Sequence, residues 1–140
     1  MRLELVTLTG VKLDQEIYQA TIPTLDGVIS VFPDHEDLVA IAVPGVIVVR
    51  DRKDESDDQA EFFAIGGGVV EISGKRIRIL VDEAEHGEEI IEAETRAALD
   101  RALKLRDEAE DQIELEKAHQ LIDRHQVRLK VAELRRRKRR

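Results

Sequence analysis

The chain has no cysteine, no tryptophan, one tyrosine and three phenylalanines in 140 residues. Without thiols there can be no disulfide scaffold, thiolate zinc site or cysteine nucleophile. With Tyr18, Phe32, Phe62 and Phe63 as its only rings, the core has to be aliphatic. No apolar run approaches the ~20 residues that span a bilayer, and no signal peptide opens the sequence. These absences predict a soluble, intracellular protein. At this size a fold buries roughly two-thirds of its unfolded surface, enough for a real core.

A second absence is local. All eight Gly and all three Pro lie at or before Gly87, and residues 88–140 have none. Residues 1–87 hold 21 Val+Ile, whereas residues 88–140 hold six. β-Branched residues suit a pleated sheet, and Gly and Pro punctuate turns. The chain therefore divides at residue 87 into a sheet domain, 1–87, and a helical domain, 88–140.

In the first domain apolar runs recur at 3–8, 11–13, 17–22, 28–32, 38–43, 46–50, 61–65, 69–72 and 77–81. Thr9-Gly10, Asp26-Gly27, Pro33-Asp34, Pro44-Gly45, Gly66-Gly67-Gly68 and Ser73-Gly74 separate them, as does an acidic stretch at 51–58 that reads as a solvated tip. Short strands at this spacing predict an all-β, antiparallel β-sandwich or barrel. The second domain is rich in helix formers. Ile91, Thr95, Ala98, Ala102, Leu105 and Ala109 make one apolar seam, and Leu115, Ala118, Ile122, His125, Leu129 and Ala132 another. Alanines on both seams allow close backbone approach, so a C-terminal α-helical hairpin of two antiparallel helices is expected. A single helix would be about 80 Å long, so a turn is placed near 110–112. No Gly or Pro marks that turn, which makes an opened form energetically accessible.

Charge is as uneven as composition. The net -8 divides into -9 over residues 1–87, -5 over 88–133 and +6 over the last seven. The body should repel nucleic acid and anionic lipid. The tail, Arg135, Arg136, Arg137, Lys138, Arg139 and Arg140, reads three ways: phosphate contact, contact with an acidic protein segment, or a solvated helix end favoured by its dipole. No aromatic interleaves it, so no stacking platform for nucleic acid is present.

Catalytic constellations are missing too. Asp34-His35-Glu36-Asp37 is the densest polar cluster. A metal site or a general base there competes with a simple Pro-Asp turn, and the turn is favoured because no second ligand cluster exists. Gly66-Gly67-Gly68 leads into Val69-Val70-Glu71-Ile72, a strand and not a helix, so it is a tight strand connection rather than a phosphate loop. No Ser has a plausible His and Asp arrangement. The residues predict a non-enzyme without a metal. The competing reading is a stand-alone β-sandwich adaptor with a coiled-coil-forming helical tail.

The segment Asp26-Gly27-Val28-Ile29-Ser30-Val31-Phe32-Pro33-Asp34-His35 is followed by residues 38–43 and Pro44-Gly45-Val46. Next come residues 62–72 with their glycines, and then Val81-Asp82-Glu83-Ala84-Glu85 and Gly87. In this order they resemble the epsilon subunit family of bacterial F-type ATP synthases (delta in mitochondria). Val28, Ser30 and Asp34 depart from the family's more usual Glu, Gly and Gly. The resemblance implies a non-catalytic rotor subunit of the central stalk, peripheral on the cytoplasmic face of the bacterial membrane. Its implied partners are the gamma subunit and the c-ring, met through Val28, Ile29, Ser30, His35, Glu36, Asp37 and Leu38. It also implies that the helices extend to inhibit ATP hydrolysis, bringing Arg135–Arg140 to the catalytic alpha and beta subunits. Some members bind ATP through Ile/Leu-Asp-x-x-Arg-Ala. The ungapped match here is Ile90-Ile91-Glu92-Ala93-Glu94-Thr95, without the Asp, Arg or Ala. Arg96-Ala97 comes one residue late, about 100° around the helix, so no cofactor is expected.

Overall fold

The computed structural model describes residues 1–56 and 59–138, the side chain of Lys138 excepted. Ten strands come first: β1 Arg2–Thr7, β2 Gly10–Glu16, β3 Gln19–Thr24, β4 Gly27–Val31, β5 Leu38–Ala42, β6 Gly45–Arg50, β7 Glu61–Ile65, β8 Gly68–Ser73, β9 Arg76–Val81 and β10 Ala84–His86. A 3-10 turn, Gly87–Glu89, leads to α1 Glu92–Asp107 and α2 Gln112–Lys138. The order across the sheet is β10-β7-β6-β3-β5-β8-β9-β1-β2, with β4 on β3. Pairing is antiparallel except between β1 and β9. The predicted class, an antiparallel sandwich followed by two helices, is the class observed.

β3 is where the sheet divides. Its first residues pair with β6, and its last, Thr24, pairs with Ala42 of β5. The alternating side chains of both halves then face one interior. Leu3, Leu5, Ile22, Ile47, Val70, Ile77 and Ile79 are wholly buried there, and Phe63 nearly so. Gly68 keeps β8 and β9 close, because a Cβ at that position would collide with the Leu80 carbonyl.

Four details differ from the sequence reading. Residues 84–86 form a tenth strand on the edge of β7 instead of a plain exit to the helices. Only pairing could reveal so short and acidic a strand. The acidic stretch after β6 is not wholly solvated: the Glu55 side chain is only 7% exposed and accepts from the Asp51 amide at 2.9 Å. Asp57 and Asp58 lie outside the described residues. Ile91 and Leu105, assigned to the first seam, are exposed. Ile91 precedes α1 as its N-cap, so helical spacing does not apply to it. Finally, the helices part at 108–111, and a side-chain cap marks the break. The Asp111 carboxylate accepts from the Glu114 amide at 2.8 Å, and the Glu114 carboxylate accepts from the Glu110 amide at 2.9 Å. This is the reciprocal logic of a capping box, shifted by one residue.

Candidate interaction surfaces

Two hairpins at one end of the sandwich are built alike. Thr7-Leu8-Thr9-Gly10 and Thr24-Leu25-Asp26-Gly27 each turn on a positive-φ glycine, at +134° and +119°. In each the threonine hydroxyl donates to the glycine carbonyl, at 3.2 and 2.5 Å. The leucine is left at the tip, 90% exposed for Leu8 and 66% for Leu25.

Strand register places an apolar row beside those tips. Ile41 pairs with Val69, Val69 with Leu80, Leu80 with Val6, and Val6 with Val11. Paired residues share a face, so these side chains form a band across five strands on the outer surface. Ile41, Val69, Leu80 and Val11 are exposed. The next row is charged: Val39 is followed by Glu71, Arg78, Glu4 and Asp14. Glu4 holds Arg78 at 3.2 Å and Arg76 at 3.5 Å, while Asp14 holds Arg2 at 2.7 Å. An exposed apolar band rimmed by charge is the kind of patch that interaction sites use. The sequence reading missed it, because the band exists only through register. The one sequence signal was the repeated Thr-Leu-x-Gly.

The candidate contact residues at 28–38 lie on β4, the loop after it and the first residue of β5. Val28 is 70% exposed, Ser30 is exposed, and Ile29 packs against the core. Phe32 stacks edge-on against Tyr18 at 5.8 Å. The loop then turns at Asp34, whose φ is +69°. The polar cluster disperses: His35 Nδ1 lies 2.6 Å from the Glu36 carbonyl, and the Asp37 carboxylate accepts from the Gly74 amide at 3.2 Å. Glu36 and Leu38 are exposed. Among the described residues no group of three or more His, Asp or Glu is placed to hold a metal.

The second surface is the underside of the hairpin. α2 lies on β7 and β6, burying Val131 and Ala132 against Ala64 and Ile90. An arginine ladder flanks this small patch. Arg124 grips Glu83 with two nitrogens, the Nε contact being 2.6 Å. Arg128 holds both oxygens of Glu85, at 2.6 and 3.2 Å. Arg135 donates to the Gly87 carbonyl at 2.5 Å, and Arg136 meets Glu92 at 3.0 Å. Alternate residues of an extended chain are about 6.6 Å apart, and helical residues four apart are separated by about 6 Å. Glu83 and Glu85 therefore match Arg124 and Arg128. Hydrogen bonding to Glu83 raises the Arg124 pKa. Burial first, then Arg128, Arg124 and Arg101, lower that of His125.

The basic tail is thus partly engaged within the chain. Arg135 and Arg136 are bound as described, and Arg137 is exposed. Lys138 ends α2, and Arg139 and Arg140 lie outside the described residues. In the stretch compared with the ATP motif, Ile90 is buried and the Glu92 carboxylate carries both Arg96 and Arg136.

An apolar-banded sandwich carrying a helical hairpin clamped to its edge is the architecture of a binding subunit. A family model described as ATP synthase, delta/epsilon chain, beta-sandwich domain matches residues 1–87. An ATP synthase epsilon chain of Herpetosiphon aurantiacus is 32% identical over 139 residues, covering 97% of this chain and 96% of the relative. One of Chloroflexus aggregans is 32% identical over 140 residues, covering 100% and 97%. The chain belongs to the ATP synthase delta/epsilon family. Its fold also matches chains in two solved assemblies. One is the Euglena gracilis mitochondrial ATP synthase, OSCP/F1/c-ring in rotational state 1, with TM-score 0.78, 23% identity and coverage of 94% of this chain and 79% of that one. The other is the central stalk and c-ring of the Tetrahymena thermophila enzyme, with TM-score 0.61, 17% identity and coverage of 92% and 96%. Among the described residues no helix is long and apolar enough to cross a membrane.

Proposed function

We infer that the chain is the non-catalytic epsilon subunit of the central stalk of an F-type ATP synthase, coupling rotation of gamma and the c-ring to synthesis. The observation that carries this is relatedness to epsilon chains along the whole length, hairpin included. The apolar band and the two leucine tips fit contact with gamma. The loop from Val28 to Leu38 fits contact with the c-ring. Such a subunit is peripheral, on the cytoplasmic face of a bacterial membrane.

The hairpin supplies inhibition of ATP hydrolysis in an extended form, with Arg135–Arg140 meeting the catalytic alpha and beta subunits. Arg135 and Arg136 are bound to the Gly87 carbonyl and to Glu92 in the docked form. Undocking therefore precedes their use elsewhere. Removing residues 88–140 from the reconstituted enzyme should preserve assembly and coupling and raise ATP hydrolysis. Unchanged hydrolysis would remove the inhibitory role, and loss of gamma binding on Ile41→Glu with Leu80→Glu tests the docking face separately.

A further inference from the structure

Where α2 faces α1, one side chain connects the interior of the hairpin to its clamp on the sandwich. His125 is half-buried on the inner face of α2. It lines a cleft of about 380 Å³ with Arg101 and Lys104 of α1. Its Nδ1 lies 3.2 Å from Nη1 of Arg128. The other two contacting nitrogens of that guanidinium, Nε and Nη2, hold the Glu85 carboxylate. A guanidinium has donors only. Nδ1 must therefore accept, which puts the ring proton on Nε2 and leaves the imidazole neutral. In that state His125 accepts from the third nitrogen of Arg128 and steadies its aim at β10.

We propose that His125 is a proton-operated release for the hairpin, holding Arg128 on Glu85 when neutral and loosening that grip when protonated. A proton on Nδ1 turns the acceptor into a donor pointed at another donor, so the guanidinium must rotate away. The new charge also arises among cations: Arg124 and Arg128 on α2, and Arg101 and Lys104 from α1. Facing it from the sandwich are Glu83, already chelated by Arg124, and Glu85, already chelated by Arg128. Glu83 favours the imidazolium, but it is the smallest of these influences on the ring, outweighed by burial and the arginines.

The sign of the linkage follows. Burial in the cleft against α1 first, and then Arg128, Arg124 and Arg101, lower the His125 pKa. Those groups all belong to the hairpin, so what docking adds is the pinning of Arg128: Glu85 fixes the guanidinium and with it the donor on Nδ1. Undocking frees Arg128 to leave the ring and opens Nδ1 to a proton. The undocked form then binds more protons, so docking is strongest where the ring is neutral and weakens as pH falls through its titration. A single linked proton limits the change in the undocked-to-docked ratio to about tenfold per pH unit.

The test uses the absence of native cysteine. Ser73→Cys on β8 and Gln126→Cys on α2, both at exposed positions, accept a donor and acceptor dye on the full chain. Energy transfer between them is followed from pH 7.5 to 5.5. The wild-type background should shift several-fold toward a longer-distance population at the acidic end. His125→Gln keeps an oxygen acceptor for Arg128 but takes no proton, so its distances should stay constant. His125→Lys carries a permanent charge without an acceptor and should be undocked at both ends. A wild-type response equal to that of His125→Gln, or no response, would overturn the proposal. So would a His125→Lys variant that stays docked at pH 7.5. If His125→Lys loses its helices by circular dichroism, the wild-type and His125→Gln pair decides alone.

Discussion

Between the layers of the sandwich a continuous aliphatic cluster runs from Leu3 to Ala84, and nearly all of it is shielded from water. Between the sandwich and the hairpin, the buried cluster among the described residues is Ala64, Ile90, Val131 and Ala132. Half-buried Val46, Phe62 and Val127 pack around it, and the flanks of that second junction are ionic and partly wet, with Arg124 and Glu83 each more than a third exposed. Apolar burial is worth about 25 cal/mol per Å². Exposed ion pairs are worth about 0–1 kcal/mol each and are screened by salt. One half is thus held by a force that needs global unfolding to undo. The other joins a small apolar cluster to ion pairs, whose condition-dependent contribution can be withdrawn while the sheet stays intact. A stiff body with a releasable arm follows from the kind of residue at each junction.

Core truncation is the strongest challenge to this contrast. Ile79→Ala, at a wholly buried position, should cost about 2–5 kcal/mol and lower the denaturant midpoint of the entire chain. Val131→Ala, equally buried but under the hairpin, should cost about 1.5 kcal/mol at roughly 0.8 per lost carbon. Its loss should appear as faster amide exchange in α2, with the sandwich midpoint unmoved. If both variants shift one common transition, the two halves are a single cooperative unit and the contrast fails. Glu85→Gln is the next step down. It leaves Arg128 with a neutral acceptor, and should weaken docking by about 1 kcal/mol at low salt and less at high salt. A salt-independent loss would assign the clamp to packing instead of charge.

The two kinds of junction also differ in how readable they were. Alternation along β9, punctuation by glycine and proline, and the unbroken helix-forming run after Gly87 are local properties. They point to a sandwich followed by two helices. The arginine ladder joins Glu83 and Glu85 to residues some forty positions away, and only the closed fold brings them together. The apolar band is invisible for a related reason: a one-residue change of register would turn Val69 and Leu80 inward. The 28–38 loop was singled out by resemblance, while the neighbouring band and leucine tips emerged from pairing. His125 was legible as a seam residue, but its bond to Arg128 was not. The break between the helices belongs with the local signals. Asp111 and Glu114 stand at capping-box spacing, and attention to glycine and proline alone passed over them.

That break carries the smallest expected effect and bears most directly on how freely the arm opens. A turn with no encoding would leave a straight helix competitive with the hairpin. The Asp111 carboxylate on the Glu114 amide instead satisfies a donor left orphaned only when α2 starts as a separate helix. Capping thus favours the bent form. Asp111→Ala should cost about 0.5–1 kcal/mol, the low end for an exposed N-cap. Asp111→Ser, which retains an oxygen acceptor, should restore most of it. Amide exchange at residues 112–115 reads the local effect directly. If alanine there leaves exchange unchanged, the cap does not set the turn, and the packing of α1 on α2 as a whole would have to hold the hairpin closed.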